Sequence, residues 1–183
     1  LMNAGDGVGM WDEQDAFFYD VLRTLDGKAQ RLKVRSLVGL LPLCAVTVFE
    51  GEFRKKYPEL LTRLQGFLDA RPELVNFIHD PARVGDSGRR RGAILDETKL
   101  RRVLAKMLDE KEFFSPYGIR SLSRHHLDHP FIFWVGHQEY KVQYLPAESN
   151  TGMFGGNSNW RGPVWMPVNM LIIRALINLY AFF

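Results

Sequence analysis

Apolar residues recur every three or four positions in three stretches of this chain of 183 residues, and that spacing predicts helices. From about Pro58 to Ala70, residues Leu60, Leu61, Leu64, Phe67 and Leu68 fall on one face. Pro58 stands at the first helical position, where its missing N–H is not needed. The segment Asp96–Leu108 opens on Asp96-Glu97, carboxylates suited to the positive end of a helix, and carries Leu100, Val103, Leu104, Met107 and Leu108 inward. From Val164 to Phe183 the chain is apolar nearly all round, as in a helix enclosed by protein. Pro167, Asn169, Arg174 and Asn178 argue against a membrane span there, since a central arginine alone costs roughly 2.5–3.5 kcal/mol on insertion. The run Leu37–Phe49, capped by Ser36 and interrupted by Pro42, reads as a further helix.

Strand signals are shorter. Phe17–Leu22 and Arg31–Arg35 flank an Asp26-Gly27 turn and predict a two-stranded unit within Trp11–Ser36, and Phe131–Tyr144 reads as strand-like. Arg71–Ile94 and Phe113–Pro130 are rich in turn formers and read as connections. The Val/Ile/Leu strands that separate helices in a βαβ fold are missing. The expected fold class is mostly α, with short β-hairpins in its loops.

Composition narrows the function classes. A hydrophobic content of 46% with 13% aromatic residues describes a folded domain. The net charge of +3 and pI of 9.1 reflect a slight Lys/Arg excess, not a nucleic-acid-binding face, and Arg89–Arg91 reads as a solvated loop. The lone Cys44 forbids an intrachain disulfide and fits a reducing, cytoplasmic setting. No phosphate-cradling glycine motif is present. The first residue is Leu1 and the last apolar helix has no polar tail, so the chain is expected to be an incomplete portion, 1–183, of a single larger domain, truncated at both ends.

Four segments carry candidate chemistry. Phe154–Trp165 combines Asn157, Asn159, Trp160, Arg161 and Trp165 with Gly155, Gly156, Gly162 and Pro163, a backbone unsuited to regular structure. Indole faces beside amide and guanidinium donors suit a pyranose, which has an apolar C–H face and a rim of hydroxyls; a buried tryptophan cluster at a tight turn fits the same composition. Asp12, Glu13, Asp15 and Asp20 lie among Trp11, Phe17, Phe18 and Tyr19, a pattern open to acid/base work, sugar contacts or plain turn capping. Ser115–Ser123 concentrates tyrosine, arginine and serine donors in a loop. His125 and His129 have the spacing of helical zinc ligands, but the surrounding Ser123, Arg124 and Pro130 mark a loop where histidines make hydrogen bonds instead.

In order along the chain, Trp11–Asp20, Leu32–Leu40, Ser115–Ser123 and Asn159–Trp165 resemble glycoside hydrolase family 63, which includes the mannosyl-oligosaccharide glucosidases and bacterial relatives acting on sugar glycerates and small oligosaccharides. The four motifs span nearly the whole chain; Ala16 departs from a usual glycine in the first. The resemblance implies part of an (α/α)6 toroid and an inverting hydrolase, read best as an exo-acting α-glucosidase type, whose acid and base carboxylates stand about 6.5–9.5 Å apart. It places the general acid upstream of Leu1 and the general base beyond Phe183, leaving residues 1–183 inactive alone. Trp160 and Trp165 match pocket-lining positions, and Arg161 fixes the loop or reaches a substrate oxygen. Asn157, Asn159 and Tyr117 are expected hydroxyl partners, with Asp12, Asp15, Glu148 and Arg120 as orienting residues. The implied partner is a carbohydrate, with no cofactor, metal, nucleic acid or membrane. A non-catalytic sugar-binding or structural toroid, and a trehalase- or rhamnosidase-type enzyme, are the alternatives.

Overall fold

The computed structural model describes residues 8–72, 83–147, 150, 152 and 159–183. Trp11–Asp12 (β1) pairs antiparallel with Phe17–Phe18 (β2). Between them the Asp12 carboxylate accepts the Asp15 backbone N–H at 2.9 Å, and Ala16 adopts φ 53°, the left-handed conformation that glycine takes freely. The next backbone N–H, that of Tyr19, donates to the Met10 carbonyl at 2.8 Å. This bond separates β2 from Asp20–Arg23 (β3), which pairs instead with Ala29–Leu32 (β4) around a turn closed by Gly27 at φ 81°.

The run Leu37–Phe49 is not one helix. Leu37–Cys44 forms a 3-10 helix containing Pro42, and Val46–Phe49 (β5) pairs antiparallel with Arg90–Ala93 (β6). Pro42 cannot donate to an α-helical ladder, and Val46-Thr47-Val48 is stiff and β-branched, so the second half of the run is better satisfied in a sheet. The helices Phe53–Lys56 (α1) and Pro58–Asp69 (α2) follow. In α2 only Leu68 is buried, while Leu60, Leu64 and Phe67 are exposed. Glu97–Met107 (α3) begins where Asp96 Oδ1 accepts the Lys99 N–H at 2.8 Å. Its residues Leu100, Val103 and Met107 are buried, whereas Leu108, expected inward, is exposed just past its end.

Phe114–Ser115 (β7) and Gly118–Ile119 (β8) make a tight hairpin, and Phe131–Val135 (β9) and Gln138–Val142 (β10) a longer one, with Phe133 opposite Tyr140. Met166–Phe182 (α4) is the last helix. Among the described residues no helix is long and apolar enough to cross a membrane.

The expectation of a mostly α toroid is overturned. The described residues hold five two-stranded antiparallel sheets beside four α-helices, a mixed α and β arrangement without a ring of paired helices. Four of the sheets are hairpins that bind their own backbone polar groups locally, so short β structure displaces helix where turns interrupt the apolar spacing, while β5 and β6 pair across a long stretch of sequence.

Two compact units divide the chain, residues Leu1–Leu41 with Arg101–Asn169, and Pro42–Leu100 with Met170–Phe183. In the first, Phe17, Phe18, Leu40, Phe113 and Leu122 form the buried core, and Phe17 stacks on Phe113 with centroids 5.6 Å apart. Gly39 is required there, because a Cβ would run into the Phe17 ring and the Phe18 carbonyl. In the second, the buried Arg91 guanidinium lies over the rings of Phe182 and Phe183, 4.9 and 5.1 Å from their centroids.

Candidate functional site

Within the first unit, alternation along an extended segment assigns neighbouring residues to two different environments. Leu32, Val34, Ser36 and Val38 line a cleft of about 410 Å³. Lys33 and Arg35, lying between them in sequence, reach a network of ions. Period-two geometry accounts for the division over Leu32–Ser36.

The ion network gathers the carboxylates of the first motif. Asp12, 6% exposed, lies 3.2 Å from the Lys33 ammonium and 3.5 Å from Arg31. Asp15 accepts from Lys33 at 2.8 Å and from the Tyr19 hydroxyl at 3.1 Å. Arg35 donates to Tyr19 Oη at 3.3 Å and pairs with Glu112, whose other oxygen accepts the Ser123 hydroxyl. Burial pushes the Asp12 and Asp15 carboxyls up, but hydrogen bonds from the Asp15 N–H, Tyr19 and Lys33, with the charge of Lys33, outweigh it and hold both below the ordinary 3.8. Burial foremost raises the Tyr19 phenol above its ordinary range. Two carboxylates kept ionised by cations have no proton to give at neutral pH, so neither is built as a general acid. They tie the Trp11–Phe18 hairpin to the segment carrying the cleft wall.

His126 continues this network. Its Nε2 accepts the Arg35 backbone N–H at 2.9 Å, and its Nδ1 donates to the His129 carbonyl at 2.8 Å, which fixes the neutral tautomer. His125 and His129 stack with centroids 4.5 Å apart. Burial foremost lowers the His126 pKa below its ordinary 6.5, against the pull of the His129 carbonyl.

The cleft has a different chemistry. The side chains of Phe131 and Phe133 from β9, and of Tyr140 and Val142 from β10, share one face of that hairpin and form one wall. Leu122, Trp160 and Asp20 complete the lining with the Leu32–Val38 segment. The size is that of a small-molecule site, and the surface is mostly apolar and aromatic with few polar groups, the usual make-up of such sites. Among the described residues Asp20 is its one charged group. No hydrogen bond or ion pair among the described residues engages its carboxylate.

The residues singled out in the sequence are therefore dispersed. Trp160 lines the cleft and lies against Trp165, with ring centroids 4.3 Å apart and tilted by 58°. Arg161 is 1% exposed, burial lowers its pKa, and its carbonyl accepts the Leu145 N–H at 2.7 Å. Gly162 follows at φ 128°, where a Cβ would run into the Tyr144 ring. Asn159 is exposed. Tyr117, at the tip of the β7–β8 hairpin, is 84% exposed and lines no cleft with Trp160. Arg120 is a brace: its Nη1 donates to the carbonyls of Glu110, Glu112 and Phe114. Asp12 and Asp15 belong to the ion network, and Asn157 and Glu148 lie outside the described residues. Asp20 as a cleft residue, Phe131, Phe133 and Tyr140 were missed, although Phe131-x-Phe133 alternates in the sequence as a wall-forming strand does.

Residues 92–181 match the mannosylglycerate hydrolase MGH1-like glycoside hydrolase domain. The chain is 44% identical over 175 residues to an uncharacterized protein of Saccharomyces cerevisiae, a match covering 95% of this chain and 16% of that protein. It is 34% identical over 86 residues to a probable mannosyl-oligosaccharide glucosidase of Schizosaccharomyces pombe, covering 46% of this chain and 8% of that protein. The chain thus spans less than a fifth of either relative. The family match and the glucosidase match agree with the ordered motifs, and together they support a family 63-like glycoside hydrolase assignment of the mannosylglycerate hydrolase and glucosidase type.

Proposed function

We propose that this chain supplies a sugar-binding cleft to an inverting, exo-acting hydrolase of the α-glucosidase type. The observation that carries the reading is the cleft itself: indole, phenol and phenyl groups around one carboxylate that has no protein partner among the described residues. Aromatic faces accept the C–H face of a pyranose, and a carboxylate accepts its hydroxyls. An inverting hydrolase needs two carboxylates on opposite sides of the scissile bond, and only Asp20 lines this cleft among the described residues. The catalytic pair therefore belongs, in this reading, to other parts of a longer protein. Two further facts support it. The relatives are several times longer, and α4 exposes Met170, Leu171, Ile173, Ile177 and Tyr180, apolar surface suited to packing against more polypeptide.

Trp160→Ala tests the cleft. In the full-length protein, kcat/KM on glucosyl substrates is expected to fall by about 10- to 100-fold, the loss of one aromatic platform. Unchanged kcat and KM would make Trp160 a packing residue only. Residues 1–183 alone are expected to release no sugar, and turnover by them would place the catalytic pair inside the chain. A panel of glucosyl, mannosyl and rhamnosyl substrates separates the α-glucosidase type from trehalase- and rhamnosidase-type enzymes. Saturable sugar binding without release of any sugar by the full-length protein would favour a non-catalytic binding role.

A further inference from the structure

We infer that Asp20 is the specificity-determining residue of the cleft, so that the bound ring is a neutral or amino sugar and an acidic sugar is refused. This rests on the reading of the cleft as a sugar site. Asp20 opens β3 directly opposite Leu32, the first cleft residue of the neighbouring segment, so the strand pairing itself places it at the wall. Among the remaining lining residues, Ser36 and Tyr140 carry hydroxyls, Trp160 carries an indole, and the others are apolar. A hydroxyl can turn to donate or accept, and an indole N–H only donates. The ionised carboxylate alone has a fixed requirement: it only accepts, and it has no donor among the described residues.

Asp20 is exposed, so water meets that requirement in the empty cleft, and a ligand that displaces this water must present donors in its place. Sugar hydroxyls do so, and an ammonium group in place of one hydroxyl does so with opposite charge, which strengthens the bond. The aromatic walls Phe131, Phe133, Tyr140 and Trp160 favour the same group, since their ring faces attract cations. A carboxylate on the ring meets the reverse situation. It offers no donor, it repels Asp20, and among the described residues the walls bring no cation to offset that repulsion. In a substrate that joins a sugar to an acidic group, the cleft would receive the sugar and leave the acid outside.

The test is titration of the full-length protein with glucose, with its 2-, 3- and 6-amino derivatives, and with glucuronate. At least one amino sugar is expected to bind about tenfold more tightly than glucose, and glucuronate about tenfold more weakly. Asp20→Asn should weaken glucose by about tenfold and cancel the advantage of the amino sugar, with an unchanged unfolding midpoint as the control for folding. Glucuronate binding as tightly as glucose to the unaltered protein would overturn the inference without any variant. If Asp20→Asn binds every probe normally while Trp160→Ala loses glucose, Asp20 is refuted and the sugar cleft stands. If neither substitution matters, or the unaltered protein binds none of these sugars, both fall.

Discussion

Asp12, Asp15 and Asp20 belong to one short acidic segment, yet they end in two regions with opposite logic. Asp12 and Asp15 are surrounded by Lys33, Arg31, Tyr19 and a backbone N–H, and every favourable partner comes from the chain itself. Asp20 faces an aromatic cleft and receives no donor from the described residues. The first arrangement holds a fold together, because its carboxylates are already satisfied. The second leaves an exposed acceptor whose water a ligand's donors can replace. Membership of a motif does not distinguish the two; the partners do.

The sharpest way to break this contrast is to remove a partner from the network. Glu112→Ala leaves Arg35, Lys106 and the Ser123 hydroxyl without their shared acceptor, and should cost about 3 kcal/mol in denaturant unfolding, the scale for opening a largely buried ion pair. Asp20→Ala in the same assay should stay within about 0.5 kcal/mol, the usual range for a surface position without partners. Equal losses from the two variants would erase the distinction drawn between the regions.

Acid titration probes the network at its histidine. The folded chain holds His126 neutral, whereas the unfolded chain protonates it near 6.5. Its contribution to stability is therefore complete above about pH 6.5 and is lost as pH falls below that value. The unfolding midpoint should decline between pH 7 and 5, and His126→Asn should flatten that decline. A variant with the same slope as the unaltered protein would show that other groups govern it. The smallest effect is at Ala16. Substituting glycine relieves a left-handed residue and should raise stability by about 1 kcal/mol or less, after the greater freedom of glycine in the unfolded chain is set against the gain. A loss of stability would mean that the Ala16 methyl packs usefully.

Much of the local structure was legible in the sequence because it rests on spacing and punctuation. Pro58 and Asp96 mark the starts of α2 and α3, and Gly27 marks the β3–β4 turn. The run Leu37–Phe49 was misread because a continuous apolar stretch does not choose between helix and strand; Pro42 and the pairing of Val46–Phe49 with Arg90–Ala93 decide it. The four ordered motifs pointed to the family that the comparisons support, but they did not separate carboxylates that staple the fold from one that faces a cleft. That separation depends on residues distant in sequence. Glu112 lies 77 positions from Arg35, and Phe131 and Tyr140 join Asp20 only through the folding of separate hairpins. No periodicity near Asp12 or Asp20 carries that information.

The two-sided segment from Leu32 to Ser36 has an evolutionary consequence. Substitutions there can be judged one side chain at a time, but a change of length cannot. Deleting a single residue would exchange the two sides, turning a lysine or arginine toward the hydrocarbon surface while Val34 displaced an ionic partner. Natural variation in this stretch should therefore take the form of replacements at constant spacing, with insertions and deletions confined to the turns on either side.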